Sequence, residues 1–157
     1  MKVLGLDISS VAIGWAVKGD GGIEGWGVWE PPKGALLHEK AGWVAEQFRI
    51  FINATQLDKI VIEDVYFSKN IETLKVLSYF IGVILCNWVG MAPVLVKATT
   101  ARKEFGVKGP GKGGGRMTRK WIKKEVQRVI NEKLGIKVEN DNISDAIILS
   151  YYRGVEC

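Results

Sequence analysis

The chain opens on MKVLGLDISS, in which Val3, Leu4, Leu6 and Ile8 form an apolar run suited to a strand buried on both faces. VAIGWAVKGD follows with the period-two alternation of a second strand, and the Gly-Asp-Gly-Gly at 19–22 supplies hairpin-turn chemistry before GIEGWGVWE returns as a third. These three predict an antiparallel meander, ended by Pro31, Pro32 and Gly34. From Ala35 to Thr55 the period widens: Leu36, Trp43, Val44, Phe48, Phe51 and Ile52 recur at mainly helical spacing. Leu57 to Val65 (LDKIVIEDV) is a short β-branched strand, Ile71 to Trp88 a helix apolar nearly all round, and PVLVKA a fifth strand. A short helix at 99–105, a helix from Thr118 to Leu134 stopped by Gly135, and a final helix within ENDNISDAIILSYYRG complete the order. That last helix presents Ile143, Ala146, Ile147 and Ser150 as a packing face.

Two acids disturb the apolar strands. Asp7 lies inside the first one, where a carboxylate needs compensation. It reads either as a cap for backbone N–H groups of the Ile8–Ser10 turn or as a metal ligand met by acids from elsewhere. A second acid on a second apolar strand favours the ligand reading, and Leu57–Val65 runs into Glu63 and Asp64. Alternation sends these two to opposite faces. Glu63, directly after Ile60, Val61 and Ile62, is the one expected beside the core, with Asp64 facing solvent or capping the turn. The final helix carries Asp141, Asn142 and Asp145 at its start, where the helix dipole also favours acids.

At 157 residues, 47% hydrophobic and 25% charged, the sequence predicts a single globular domain over 1–157. No signal peptide is visible, and the most apolar window, Val76 to Val89, is too short for a bilayer. Cys86 and Cys157 make neither a disulfide framework nor a zinc pattern, so an intracellular, cytoplasmic protein is expected. His38, near a helix start, is assigned no role.

The net charge of +5 is unevenly spread. Lys97 to Lys124 holds ten basic residues against Glu104 alone, a local +9 that leaves −4 for the remainder. One basic band on an acidic body predicts a polyanion-binding face. Within it, residues 106–117 (GVKGPGKGGGRM) contain six glycines, a proline and three basic residues without hydrophobic periodicity, and are expected to be a flexible loop. A plain linker needs no such charge, and the charge continues onto the next helix at Arg119, Lys120, Lys123 and Lys124. We read the stretch as a phosphate-backbone clamp; the spacing excludes a P-loop.

Three antiparallel strands, a helix, a parallel strand, then helices with one more strand resemble the RNase H-like fold, an α/β architecture with a mixed five-stranded sheet flanked by helices. Within it the chain resembles the RuvC family of Holliday junction resolvases, and its small size is in keeping with a phage version. The resemblance rests on GLDISS at 5–10, IEDVYFSKN at 62–70 before a long apolar helix, the glycine- and lysine-rich stretch at 106–124, and NISDAIIL at 142–149. These four motifs are collinear over nearly the whole chain.

The resemblance implies a DNA endonuclease of recombination and repair that cuts four-way junctions into nicks with 5′-phosphates. It implies two Mg²⁺ or Mn²⁺ ions per active site on Asp7, Glu63, Asp145 and the residue three before the last aspartate. That residue is usually Asp or His; here it is Asn142, a neutral and weaker ligand for a hard cation. Either Asn142 still coordinates, or Asp141 substitutes, or the site is impaired. The resemblance further implies that Tyr66 wedges into the junction centre, while Lys69, Asn70, Lys108, Lys112, Arg116, Lys120 and Lys123 read as DNA contacts. Lys120 or Lys123 is also placed to stabilise transition-state charge, though a solvated helix face explains either equally well. Because a junction is two-fold symmetric, a homodimer is expected, with the helix at 71–88 as its interface. The competing readings are a junction-binding protein without cleavage, an RNase H-like nuclease acting on RNA, and an actin-like ATPase, for which the chain supplies one lobe of the two required.

Overall fold

A computed structural model of the chain describes residues 1–65, 70–109 and 118–154. Five strands, β1 (Val3–Ile8), β2 (Ile13–Gly19), β3 (Gly22–Trp29), β4 (Lys59–Glu63) and β5 (Val94–Val96), form one sheet in the order β3-β2-β1-β4-β5. β1–β2 and β2–β3 pair antiparallel, whereas β1–β4 and β4–β5 pair parallel. This is the mixed sheet expected. The helices are α1 (Leu37–Thr55), α2 (Ile71–Asn87), α3 (Ala98–Phe105), α4 (Arg119–Leu134) and α5 (Asp141–Ser150).

The first helix starts two residues later than Ala35 because its entry is set by Glu39, whose carboxylate accepts the Leu36 N–H at 2.7 Å. β5 is only three residues long, shorter than PVLVKA suggested. The Asp64 backbone N–H continues the pairing toward β5, donating to the Val96 carbonyl at 2.8 Å, and the turn it was expected to cap lies outside the described residues.

Alternation along β1 divides the core. Leu4, Leu6 and Ile8 join Ile60, Ile62, Val44, Phe48, Phe80 and Ile84 on the face covered by α1 and α2. Val3 and Val61 join Val126, Ile130, Ala146 and Ile147 on the face covered by α3, α4 and α5. Asp7 and Glu63 share the parity of Val3 and Val61, so both belong to the α5 face.

Two glycines let α5 lie directly on the strands. A Cβ on Gly5 would stand 2.1 Å from the Ala146 carbonyl oxygen, and one on Gly14 would stand 2.2 Å from that of Asn142. Gly14 pairs with Asp7 across the β1–β2 ladder. The first turn of α5 is thereby laid over the end of β1 that carries the acid. α5 is buried on more than the stripe read from sequence, with Ser144, Ile148 and Leu149 also inside, since strands lie beneath it and α3 and α4 lie beside it. No helix among the described residues is long and apolar enough to cross a membrane.

Candidate active site

Parallel pairing of β1 with β4 sets Leu6 beside Ile62, so the next residue of each strand is an acid. Asp7 and Glu63 therefore meet at the carboxyl ends of adjacent parallel strands, where open α/β sheets place their ligand sites. Asp7 is buried and its carboxyl is held well above the usual carboxylate range, first by burial, then by hydrogen bonding and charge repulsion from Glu63, and further by Asp145, with Arg102 opposing. Two carboxyls in contact at a buried position require a shared proton or a cation between them.

α5 brings the remaining polar groups. Asn140 caps it, its Oδ1 accepting from Asn142 N at 2.9 Å and Ile143 N at 3.4 Å. That cap fixes the first turn, and with it Asn142 above Gly14 and Asp145 one turn further on. Asp145 is held by the guanidinium of Arg102: Nε donates to Oδ1 at 2.8 Å and Nη2 to Oδ2 at 2.6 Å, a bidentate pair that is mostly buried. Asp141, on the same side of the helix, pairs with Lys123 of α4.

The four expected acid-site positions thus fall around one end of the sheet. Asp7 and Glu63 are in contact, Asp145 is near enough to influence Asp7, and Asn142 lies over the residue paired with it. They are not gathered into one ligand cluster. Among the described residues no group of three His, Cys, Asp or Glu side chains is placed to hold a metal ion, and both Asp145 oxygens are taken by Arg102. The donor set still suits a hard divalent cation. Asp7 and Glu63 supply adjacent oxygens whose mutual repulsion a cation relieves, and Asp145 and Asn142 are within the same neighbourhood.

Of the expected DNA contacts, Lys108 and Lys120 are exposed on the basic side, and Lys123 is engaged by Asp141. Asn70 is the N-cap of α2, accepting from Glu72 N at 3.0 Å and Thr73 N at 3.4 Å, a structural role the phosphate-contact reading did not include. Tyr66, Lys69, Lys112 and Arg116, together with most of the glycine-rich stretch, lie outside the described residues.

Sequence reasoning missed Arg102, which it counted only as one charge in the basic band. The sequence offered only that Arg102 adjoins Ala101 in the helical i, i+4 pair Ala101 and Phe105; the structure buries that pair and leaves Lys103 and Glu104 exposed.

Comparison with known proteins bears on the fold and the family. The most similar solved structures include Thermus thermophilus RuvC in complex with a Holliday junction substrate (TM-score 0.73, 12% identity, covering 96% of this chain and 90% of that one). A second T. thermophilus RuvC structure gives a TM-score of 0.71 at 16% identity, covering 96% and 91%. The yeast mitochondrial Holliday junction resolvase gives 0.57 at 12%, covering 94% and 75%. These likenesses establish the fold. Among curated proteins no sequence matches the chain. The family model for crossover junction endodeoxyribonuclease RuvC matches residues 3–151, which is nearly the full length, and the chain accordingly belongs to the RuvC family.

Proposed function

We propose that this protein is a structure-selective DNA endonuclease that resolves four-way junctions by paired phosphodiester hydrolysis, leaving nicks with 5′-phosphates. The observation that carries this reading is the buried contact of Asp7 with Glu63 beneath the first turn of α5, beside a strongly basic pair of helices. Family membership supports the junction as substrate.

Asp7 and Glu63 would hold Mg²⁺ or Mn²⁺, with Asn142, and with Asp145 once Arg102 releases it, completing sites for two ions. Bound there, such a pair activates water and offsets charge on the leaving 3′ oxygen. The protein's own part is to keep the carboxylates on rigid strand ends, to exclude water beneath α5, and to set Lys108 and Lys120 where a phosphate backbone passes.

A homodimer follows from the symmetry of the substrate. α2 supports it by exposing Ile71 and Tyr79, 64% and 54% accessible, on a helix that needs only its other side for the core. A monomeric mass by light scattering at micromolar concentration would remove that part of the proposal.

One observation favours a second reading. Asn142 brings a neutral amide where an acid is expected, which suits a protein that binds junctions without cutting them. A labelled four-way junction and an RNA–DNA hybrid, incubated in Mg²⁺ and in Mn²⁺ with the protein and with Asn142→Asp, separate the readings. Symmetric junction nicks by the protein, rising in Asn142→Asp, support resolution. Binding without nicks in either protein supports the second reading, and cleavage of the hybrid alone redirects the site to RNA.

A further inference from the structure

A cavity lies close to the carboxylates, sharing Arg102 with them. It sits between the end of α3 and the first turn of α4, with a volume of about 240 Å³, walled by Val107, Ile122 and Trp121, with Arg102, Lys103 and Lys108 at its rim. No acidic side chain is among the described residues lining it.

Trp121 lies outside the buried stripe of α4 among the described residues. α4 buries Val126, Val129 and Ile130, whereas Trp121 begins the row continued by Glu125, Arg128 and Glu132, three charged residues tied to one another in ion pairs. Its position is fixed by the helix cap, since Thr118 Oγ1 accepts the Trp121 N–H at 3.2 Å. A half-buried indole has thus been set, on the charged side of a basic helix, against a hollow with apolar walls and a cationic mouth.

We propose that this cavity receives one unstacked nucleobase of the DNA strand, with its ring against Trp121 and its flanking phosphates on Lys103 and Lys108. The proposal rests on the junction-nuclease reading for the identity of the strand. Flat apolar walls suit a base and a ring of cations suits the phosphates on either side of it, whereas a free phosphate has no use for the walls and an apolar peptide none for the rim. Among the described residues the space suits one base, and a base leaves the stack at least cost where strands exchange at a branch point. Arg102 joins the cavity to the acid site, as it lines the one and holds Asp145 of the other. A base seated here would fix the register of the strand relative to Asp7 and Glu63, giving the enzyme a nucleotide preference beside the cut.

The test follows the indole N–H resonances of the six tryptophans, with Trp121 assigned through Trp121→Phe. Titration with hexathymidylate is expected to shift Trp121 and leave the other five in place, and a fully abasic strand of the same length is expected not to shift it. Equal shifts with both strands, or none with either, would overturn the proposal. In the second arm, Trp121→Ala is expected to bind a four-way junction about 5- to 150-fold more weakly, with Trp121→Phe recovering most of the loss. One abasic position near the crossover should weaken the wild type to a similar degree and Trp121→Ala little further. Wild-type junction binding and cutting by Trp121→Ala sinks the cavity and leaves the nuclease reading standing. A protein that neither binds nor cuts junctions, yet shifts Trp121 with hexathymidylate alone, does the reverse.

Discussion

Two buried or half-buried carboxylates, Asp7 and Asp145, meet opposite kinds of partner in this protein. At the strand ends Asp7 faces Glu63, like against like, and burial with repulsion holds the Asp7 carboxyl well above its usual range. On α5, Asp145 faces Arg102 through two hydrogen bonds of 2.6 and 2.8 Å. The first pair leaves a negative charge waiting for a cation, and the second already contains one. Each senses the other, as Asp145 raises Asp7 and Arg102 lowers it. The contrast teaches that the basic band is not only a surface for DNA. One of its residues reaches inward and holds Asp145 on α5.

The sharpest way to break the comparison is Asp7→Asn. Loss of the buried acid is expected to remove all detectable junction cleavage in Mg²⁺ or Mn²⁺. The same change is expected to stabilise the protein in EDTA, and the sign follows from the direction of the shift. A carboxyl whose value is raised by folding costs nothing while protonated in both states, and penalises the folded state as pH rises above the ordinary carboxylate range. The gain in Tm should therefore be absent near pH 3.5 and reach a few degrees at pH 8. Equal Tm values at pH 8 would mean that the pair is not strained.

Next in size is Arg102→Gln, which leaves Asp145 mostly buried without its partner. Breaking a pair of this kind costs about 3 kcal/mol, or a Tm lower by about 6–12 °C for a chain of this size. Added Mn²⁺ is expected to raise the variant's Tm more than that of the wild type, because Asp145 is then free to bind it. Equal increments would show that Arg102 does not compete with a cation.

These two residues also mark where the sequence is legible. Asp7 and Glu63 stand out because each is an acid at the end of an apolar β-branched run, and alternation separates Glu63 from Asp64; that Glu63 shares a face with Asp7 follows only from the β1–β4 register. Asp145 and Asn142 have no such contrast: acids and amides are ordinary in a first turn of helix, and only likeness to a family singles them out. Arg102 is one of ten cations in its stretch, and what separates it from Lys103 is the direction α3 takes when it docks on α5, a tertiary fact. Gly5 and Gly14 read as unremarkable strand residues until α5 is laid across them. The element order was readable almost throughout, because periodicity is local; element ends were less so, as at Leu37 and in the three-residue β5.

The weakest expected effect concerns the other cation paired with an acid of α5. Lys123 and Asp141 are paired like Arg102 and Asp145, but their side chains are 39% and 33% exposed, so water screens them and the pair contributes at most about 1 kcal/mol. Lys123→Ala should therefore shift Tm by less than about 4 °C. Its consequence for DNA decides what the pair is for. If Lys123 also meets a phosphate, Lys123→Ala lowers the slope of log affinity against log salt by about 0.9, and Asp141→Asn, which frees the amine, tightens junction binding at low salt. If neither slope nor affinity moves, Lys123 belongs to the fold alone, and Arg102 is then the only one of the two cations on this side of α5 that couples the basic band to the acids.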